Sequence, residues 1–328
     1  MARTISLRAT PPRVERLCRG AAERSLHTAM CAAATRSFKA KHDDIYASEA
    51  SCRRYDVELC RKQDFADALL REFQTLAPWM SRATTRAADI GCGTGKLARI
   101  LAPYCHSISA TDRSTDCIAV ARAAAASSSD DCEMSFEVAD ARQLPLANGS
   151  VDLLVAGWAL SYLKSEHEEW YADGSYGGAW REEVDLALSE LDRVLVDGGL
   201  AIVLETQGTA TETPQREGSH FYAHLRQRGF AQRLVRTDYR FESKKEALKT
   251  LGFFFGKGVS KRAEALLGGV KDEGEPCIVP ECTALFWRVK RRRGLLGALP
   301  GVLSSPRAVA AIVIACAAVA MIAARPRG

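Results

Sequence analysis

A glycine-rich turn near residue 90 carries residue types whose spacing suits ligand binding. Asp89 ends an apolar run, and Gly91, Gly93 and Gly95 follow it at every second position. Glycines at such a turn let the backbone bend sharply and let a ligand approach without meeting a Cβ. Asp112 ends the next apolar run, about twenty residues on, where a carboxylate can accept hydrogen bonds from ribose hydroxyls. The spacing therefore predicts a ribose-containing ligand at this turn.

The elements that must position these residues alternate between strand and helix from residue 84 onward. Helices are predicted at about 95–103, from Ser114 onward, and at about 179–195, and strands at 85–90, 107–112, 134–140, 151–160 and 200–206. The last two strands are continuously apolar, as expected of strands buried on both faces. This alternation predicts an α/β fold with a right-handed, mainly parallel sheet.

The regular alternation of strand and helix ends after residue 206. A helix is predicted at about 217–228, a strand at 232–241, a helix over about 244–256 and a final strand at 282–290. We expect the two late strands to form an antiparallel edge pair. Before the alternating region, residues 42–82 place apolar side chains at near-helical spacing, which predicts a helical extension packed on the domain that follows.

The two ends of the chain differ in composition from the middle. Residues 1–41 are rich in arginine and poor in acids, as in an organelle transit peptide or a disordered basic tail. A linker at 292–307 precedes an apolar run at 308–324 that is bracketed by arginines. We interpret this run as a single-pass C-terminal membrane anchor, with mitochondria as one candidate location, and a helix docked on the domain as the alternative.

Charge and cysteine content narrow the class of protein. The net charge is +5, but the excess lies at the two ends and the middle is close to balanced, so charge gives no argument for a nucleic-acid substrate. The eleven cysteines contain no CxxC pair or zinc-like cluster. We therefore expect free thiols in a reducing compartment and no metal site.

The stretch AADIGCGTGKLARIL at 87–101 resembles the first motif of the class I S-adenosylmethionine (SAM) dependent methyltransferases, and more narrowly of their type 11 branch. The resemblance extends to ATD at 110–112, VADARQLPLANGSVDLLVAGWALSYL at 138–163 and LDRVLVDGGLAIVLET at 191–206. It covers residues 84–206 well and the remainder to 290 loosely. It implies a Rossmann-like, seven-stranded sheet with helices on both faces, and SAM as the cofactor.

The resemblance also implies which residues hold the cofactor. The glycine turn would hold the methionine part, Asp112 the ribose, and Asp140 the adenine amino group, with the backbone NH of Ala141 beside it. The complete set implied for SAM is Asp89, Gly91, Cys92, Gly93, Gly95, Asp112, Asp140, Ala141 and Trp158.

Three alternatives compete with this interpretation. A nicotinamide-binding Rossmann turn has the pattern GxGxxG, whereas this turn is GxGxG with Asp89 two residues ahead. A glycine turn without any ligand is the second alternative. The third is an inactive SAM-fold protein that serves as a membrane-anchored interaction module. The intact turn and both acids argue against this last alternative, and a measurement of SAM binding would discriminate.

The sequence excludes several classes of methyl acceptor but does not identify one. Ala156-Gly157-Trp158-Ala159 stands where enzymes that methylate exocyclic or amide nitrogens carry an NPPY-like turn, and no Pro-Cys follows this strand. We therefore expect a small-molecule or lipid-like acceptor and no nucleic acid. Acceptor contacts are sought at the carboxyl ends of the strands. The candidates there are Trp158, Tyr162, Trp180, Glu205, Thr206, His220, Tyr222 and Tyr239.

Three of these candidates are the ones considered for catalysis, namely Glu205, Tyr162 and His220. Glu205 ends a buried strand and is a candidate general base, although a structural pair with an arginine such as Arg236 is the competing interpretation. His220 and His224 have i, i+4 spacing, for which a solvated helix face is preferred over a metal site. The sequence thus predicts a methyltransferase domain at 84–291 behind a helical extension at 42–83, tethered to a membrane.

Overall fold

A mixed sheet forms the centre of the computed structural model, which describes residues 46, 48–127, 131–170, 176–272 and 274–291. Two separate two-stranded sheets accompany it. The strands are, in chain order, β1 Arg86–Ile90, β2 Ser107–Asp112, β3 Glu133–Val138, β4 Val151–Gly157, β5 Glu169–Trp170, β6 Tyr176–Gly177, β7 Leu195–Thr209, β8 Ala231–Arg236, β9 Tyr239–Phe241, β10 Cys277–Val279 and β11 Glu281–Val289. The seven-stranded sheet has the order β3-β2-β1-β4-β7-β11-β8. The first five strands of this order are parallel, and β11 is antiparallel to both β7 and β8.

Helices cover both faces of this sheet. In chain order they are α1 Glu49–Glu58, α2 Ala66–Leu76, α3 Lys96–Leu101, α4 Thr115–Ala126, α5 Ser161–His167, α6 Trp180–Val194, α7 His220–Gln227, α8 Lys244–Phe255 and α9 Lys257–Leu266. Apolar side chains of α2, α3 and α4 form one core cluster with the sheet, and those of α5, α6 and α7 form another. The neighbouring residues Ala87 and Ala88 of β1 belong to different clusters, because successive side chains of a strand point to opposite faces. The predicted Rossmann-like sheet is thus confirmed.

The late antiparallel pair is confirmed as well, but the single strand predicted at 232–241 is wrong. β8 ends at Arg236, and β9 begins at Tyr239 in a separate two-stranded sheet with β10. Arg236 forms an ion pair with Asp238 at 2.8 Å, and the backbone of Thr237 donates to Glu281 O at 3.0 Å. These contacts turn the chain between the two strands.

The strand predicted at 151–160 is also too long. β4 ends at Gly157, and Trp158 has φ of 53°, a left-handed conformation that a bulky residue rarely adopts. Its backbone NH still donates to Leu204 O at 2.7 Å, which holds the turn against β7. The carboxyl end of β4 is therefore a fixed bend, which leads into α5.

The segment between β8 and β11 packs on the N-terminal extension. α8, α9, β9 and β10 share an apolar cluster that includes Leu59, and Tyr46 and Tyr55 pack against it. The predicted extension is helical as α1 and α2, with a short 3-10 turn at Cys60–Lys62 between them. The compact unit that includes these elements ends at Lys290.

The basic segment at 1–41 and the apolar run at 308–324 lie outside the described residues. Within the part of the chain that the structure describes, every helix is too short or too polar to cross a membrane.

Candidate functional site

A cavity of about 870 Å³ opens at the carboxyl ends of β1, β2 and β4. Parallel strands bring these ends to one edge of the sheet, which is where ligands bind in open α/β folds. Eight of the nine residues implied for SAM line the cavity, namely Asp89, Gly91, Cys92, Gly93, Asp112, Asp140, Ala141 and Trp158. The ninth, Gly95, lies outside the lining as the N-cap of α3, with φ of 76°.

The glycine turn is shaped by two different requirements. Gly91 has φ of 69°, and a Cβ there would stand 2.4 Å from the Cβ of Ala159, so this glycine permits a close approach of two backbone segments. Gly93 has φ of 52°, and no described atom lies within 4 Å of where its Cβ would stand. The space beside Gly93 belongs to the cavity, which makes room for a ligand.

Asp89 presents an unpaired oxygen at the cavity wall. Its Oδ2 accepts a hydrogen bond from the backbone NH of Ala98 at 3.0 Å, whereas Oδ1 has no partner among the described residues. Burial raises the pKa of this carboxyl to about 7, with the nearby Asp112 adding to the shift. A buried carboxylate oxygen without a partner is costly, so the site suits a ligand that brings a hydrogen-bond donor.

Asp112 connects the ends of β1 and β2. Its Oδ2 accepts from the backbone NH of Gly93 at 2.8 Å and its Oδ1 from that of Ser114 at 2.8 Å. Burial raises its pKa, and these backbone hydrogen bonds oppose the rise. Each oxygen keeps a second lone pair, so the fixed carboxylate can still accept from ligand hydroxyls.

Asp140 is held by a local partner. Arg142 donates to both of its carboxylate oxygens, at 2.8 Å and 2.6 Å, and this pairing lowers the pKa of Asp140. The backbone NH of Ala139 donates to Asp112 O at 3.0 Å, which brings Asp140 and Ala141 close to Asp112 in the cavity. The acid is thus oriented at the cavity rim.

Comparison with known proteins agrees with this geometry. A sequence model of the family described as methyltransferase domain matches residues 88–203, which include the glycine turn, Asp112 and Asp140. A protein of Rubrivivax gelatinosus, ubiquinone/menaquinone biosynthesis C-methyltransferase UbiE, is 28% identical over 179 residues, covering 52% of this chain and 62% of that protein. The chain therefore spans less than two thirds of that relative's length.

Residues 88–203 are therefore a methyltransferase domain.

Solved structures show a similar arrangement at low sequence identity. The YcgJ protein of Bacillus subtilis matches with a TM-score of 0.43 and 18% identity over 68% of this chain and 99% of that chain. A Haemonchus contortus phospholethanolamine N-methyltransferase 2, in complex with phosphomonomethylethanolamine and S-adenosylhomocysteine, matches with a TM-score of 0.48 and 17% identity over 78% of this chain and 61% of that chain.

Part of the cavity wall comes from the N-terminal extension. Tyr46, Tyr55 and Cys60 line the cavity together with Tyr162 of α5. Tyr55 packs edge-on against Phe254 of α8, with ring centroids 5.8 Å apart, so the segment between β8 and β11 supports this wall. The helical spacing of the tyrosines indicated packing, but nothing in the sequence indicated that they line a cavity.

Lys96 is a second cavity residue that the sequence reasoning missed. Its Nζ donates to Gln63 Oε1 at 3.3 Å and lies 3.9 Å from the ring centroid of Phe65. Burial is the main cause that lowers its pKa, to about 8. Its position directly after Gly95 was the available signal, because the first residue of the helix after such a turn lies beside the ligand space.

Asp56 fixes the extension to the glycine turn. Its Oδ1 accepts from the hydroxyl of Thr94 at 2.8 Å and from Arg99 at 3.2 Å, and its Oδ2 accepts from Arg61 at 3.0 Å. Asp56 is only 2% exposed, so these partners offset the cost of burying its charge. The extension is therefore bonded to the glycine turn and to the helix that follows it.

The three catalytic candidates are placed differently. Tyr162 lines the cavity, whereas Glu205 and His220 are absent from its lining. Glu205 is buried and accepts from the backbone NH and the hydroxyl of Ser161, at 3.0 Å and 2.8 Å. His220 stacks on Tyr176 with ring centroids 4.7 Å apart.

Two expectations about these side chains are wrong. Arg236 pairs with Asp238 instead of Glu205, because β11 lies between β7 and β8 in the sheet. His224 does not lie on a solvated face, since it is 5% exposed and its Nε2 is 2.8 Å from Asp185 Oδ1.

Three further acceptor candidates lie in the core. Trp180, Tyr222 and Tyr239 are all buried, and none of them lines the cavity. Within the described ranges, no group of three or more potential ligands from histidine, cysteine, aspartate and glutamate is placed to hold a metal ion.

Proposed function

We propose that this chain transfers the methyl group of SAM to a small acceptor that contains a ring and binds between the glycine turn and the N-terminal extension. The observation that carries the proposal is one cavity whose lining includes both the residues implied for SAM and the aromatic side chains of Tyr46, Tyr55 and Tyr162. When bound, SAM supplies a methyl group that is already activated on a sulfonium sulfur. The protein then has to align the acceptor and exclude water.

The cofactor side is assigned from the fit of its residues. Asp89 Oδ1 accepts from the amino group of the methionine part, since this oxygen is buried and has no partner in the described chain. Asp112 accepts from the ribose hydroxyls and Asp140 from the adenine amino group. Gly93 leaves the space that the ligand occupies.

The acceptor side is assigned from the aromatic wall. Tyr46, Tyr55, Tyr162 and Trp158 face the same cavity, and Phe65 packs edge-on against Trp158 with ring centroids 5.6 Å apart. Flat rings bind well between aromatic side chains. The similarity to a ubiquinone/menaquinone biosynthesis C-methyltransferase supports a quinone-like acceptor.

Lys96 is proposed to take up the acceptor's proton. It lines the cavity beside Phe65 and Cys60, and its lowered pKa of about 8 leaves part of the population uncharged near neutral pH. A base with a pKa near the working pH is the most effective proton acceptor. A ring hydroxyl that loses its proton to Lys96 becomes a stronger carbon or oxygen nucleophile.

The experiment that tests the proposal compares two glycine substitutions. Gly93→Val should abolish SAM binding in calorimetry, because the new side chain enters the cavity. Gly149→Val is the matched control, since Gly149 also has positive φ, 60°, with open space around its Cβ position, but lies outside the cavity lining. Methyl-labelled SAM with a hydroquinone acceptor then measures transfer. Unchanged SAM affinity in Gly93→Val, or equal losses in both variants, would contradict the assignment.

A further inference from the structure

A smaller cavity of about 340 Å³ adjoins the glycine turn on the side of the extension. It is lined by Asp56, Cys60, Arg61, Gln63, Lys96, Arg99 and Ile100. Cys60 and Lys96 also line the large cavity, so the two spaces meet at these side chains. Three cationic side chains face one carboxylate here, which leaves the small cavity with a positive excess.

The carboxylate does not use all the hydrogen-bond donors around it. Asp56 is bonded to Nε of Arg61 and to one terminal nitrogen of Arg99, whose other terminal nitrogen donates to the backbone oxygen of Thr94. The terminal nitrogens of Arg61 hydrogen bond to no residue that the structure describes, and Lys96 Nζ uses one of its three donors, on Gln63. Guanidinium forks and ammonium donors with this geometry are suited to oxyanions.

We propose that the small cavity binds an oxyanion, either an acidic substituent of the methyl acceptor or a free inorganic anion of similar chemistry. Arg61 and Arg99 supply donors throughout, and Lys96 adds its own in the protonated form, which is also the form that it takes after accepting the acceptor's proton. Asp56 keeps Arg61 and Arg99 in place without neutralising the three charges. The first possibility, an acidic substituent, rests on the proposed function, because it requires the acceptor to extend from the large cavity past Lys96. The second possibility, a free anion, is independent of the proposed function.

The charges around Lys96 predict how such binding depends on pH. Burial lowers its pKa to about 8, Cys60 and Asp56 oppose this shift, and Arg99 adds to it. Sulfate keeps its double negative charge between pH 7 and 9.5, so any change in its affinity over this range comes from titration of the protein. We expect sulfate affinity to fall as pH rises from 7 to 9.5, because Lys96 loses its proton.

The test uses the full chain with sulfate as the probe, measured by calorimetry at constant ionic strength. Arg61→Gln should weaken sulfate binding by about threefold to fivefold, the range expected for a partly exposed charge. Arg53→Gln is the matched control, because Arg53 is an exposed arginine of α1 that pairs with Glu49 and lies outside both cavities. Unchanged melting temperatures in both variants exclude a folding defect.

Competition experiments distinguish the two possible sources of the anion. A hydroquinone that carries a carboxylate should compete with sulfate if the acceptor supplies the anion, whereas the parent hydroquinone should not. Sulfate binding that depends on Arg61 but is not displaced by the carboxylate assigns the cavity to a free anion. Sulfate binding that is absent, or equally weakened by Arg53→Gln, overturns the proposal. The SAM affinity of the unaltered chain is measured separately. Failure of the proposed function can therefore be distinguished from failure of the anion proposal.

Discussion

At the scale of single residues, the carboxyl of Asp89 combines burial with an unpaired oxygen at the cavity wall. Its pKa of about 7 means that its charge changes within the pH range in which enzymes are assayed. The ammonium group of the cofactor interacts favourably only with the ionised form. Cofactor affinity should therefore depend on pH through this one residue.

We predict that SAM affinity falls up to about tenfold when pH is lowered from 8 to 6, because Asp89 becomes protonated. Calorimetry over this range measures the effect. Asp89→Asn should bind more weakly at pH 8 and show little dependence on pH. A wild-type chain whose affinity stays constant over this range would show that Asp89 does not face the ammonium group.

Glu205 illustrates a buried acid whose role is set by its partners. It holds the first residue of α5 through the backbone NH and hydroxyl of Ser161, and α5 carries Tyr162 into the cavity. Burial raises its pKa to about 7, opposed by these hydrogen bonds. Its geometry therefore favours a positioning role over direct proton transfer.

We predict that Glu205→Ala lowers the free energy of unfolding by about 1–3 kcal/mol, because two buried donors lose their acceptor. Because the folded-state pKa is raised, the stabilising contribution of this group is present below its ordinary pKa and lost as pH rises through about 7. Glu205→Gln should remove this loss, so that stability changes less with pH. Chemical denaturation at pH 5 and pH 8 measures both effects. A large loss of kcat in Glu205→Gln at unchanged stability would instead indicate catalysis.

At the scale of elements, the N-terminal extension is joined to the glycine turn by hydrogen bonds and to the segment between β8 and β11 by an apolar cluster. Asp56 of α1 accepts from Thr94, which lies between the second and third glycines. The extension therefore completes the site in two ways, by supplying tyrosines to the cavity wall and by fixing the turn.

We predict that Asp56→Ala weakens SAM binding at least about fivefold and makes the extension more sensitive to proteases, because Thr94 and two arginines lose their acceptor. Calorimetry and limited proteolysis measure the two effects. Asp64→Ala is a suitable control, since Asp64 belongs to the same extension but pairs with Arg240 at an exposed position. Equal behaviour of the two variants would mean that Asp56 does not hold the turn.

At the scale of the whole molecule, the described residues include the cavity that we propose for the cofactor, whereas the proposed membrane attachment rests on the sequence at 308–324. The run has about the length of a short span at 1.5 Å per residue, and arginines flank it on both sides. Basic residues beside a short apolar segment can reach the headgroups at modest cost. We propose that this run is a membrane anchor.

Carbonate extraction tests the anchor. We predict that the full chain stays with the membrane pellet and that a chain ending at Ser305 is released. Methyl transfer by both chains in detergent serves as the control for folding. Release of both chains would contradict the membrane anchor and favour the alternative, a helix docked on the protein.

The sequence by itself determined the parts of this protein that depend on local spacing. Glycines at every second position after Asp89 specify a turn between strand and helix, and Asp112 follows at the end of the next strand. Ser114 caps α4 through the backbone NH of Cys117, two positions that are close in the chain. Continuous apolar runs predicted β4 and β7, because a strand buried on both faces needs apolar residues throughout.

Only the tertiary structure decided which distant residues meet. Asp56 and Thr94 are 38 positions apart, and Glu205 and Ser161 are 44 apart, so no local pattern relates them. The separate sheet of β9 and β10 likewise requires residues 239–241 to pair with residues 277–279, although α8 and α9 lie between them in the chain. Burial then sets the pKa values of Asp89, Lys96 and Glu205, because desolvation depends on what every other element packs around them.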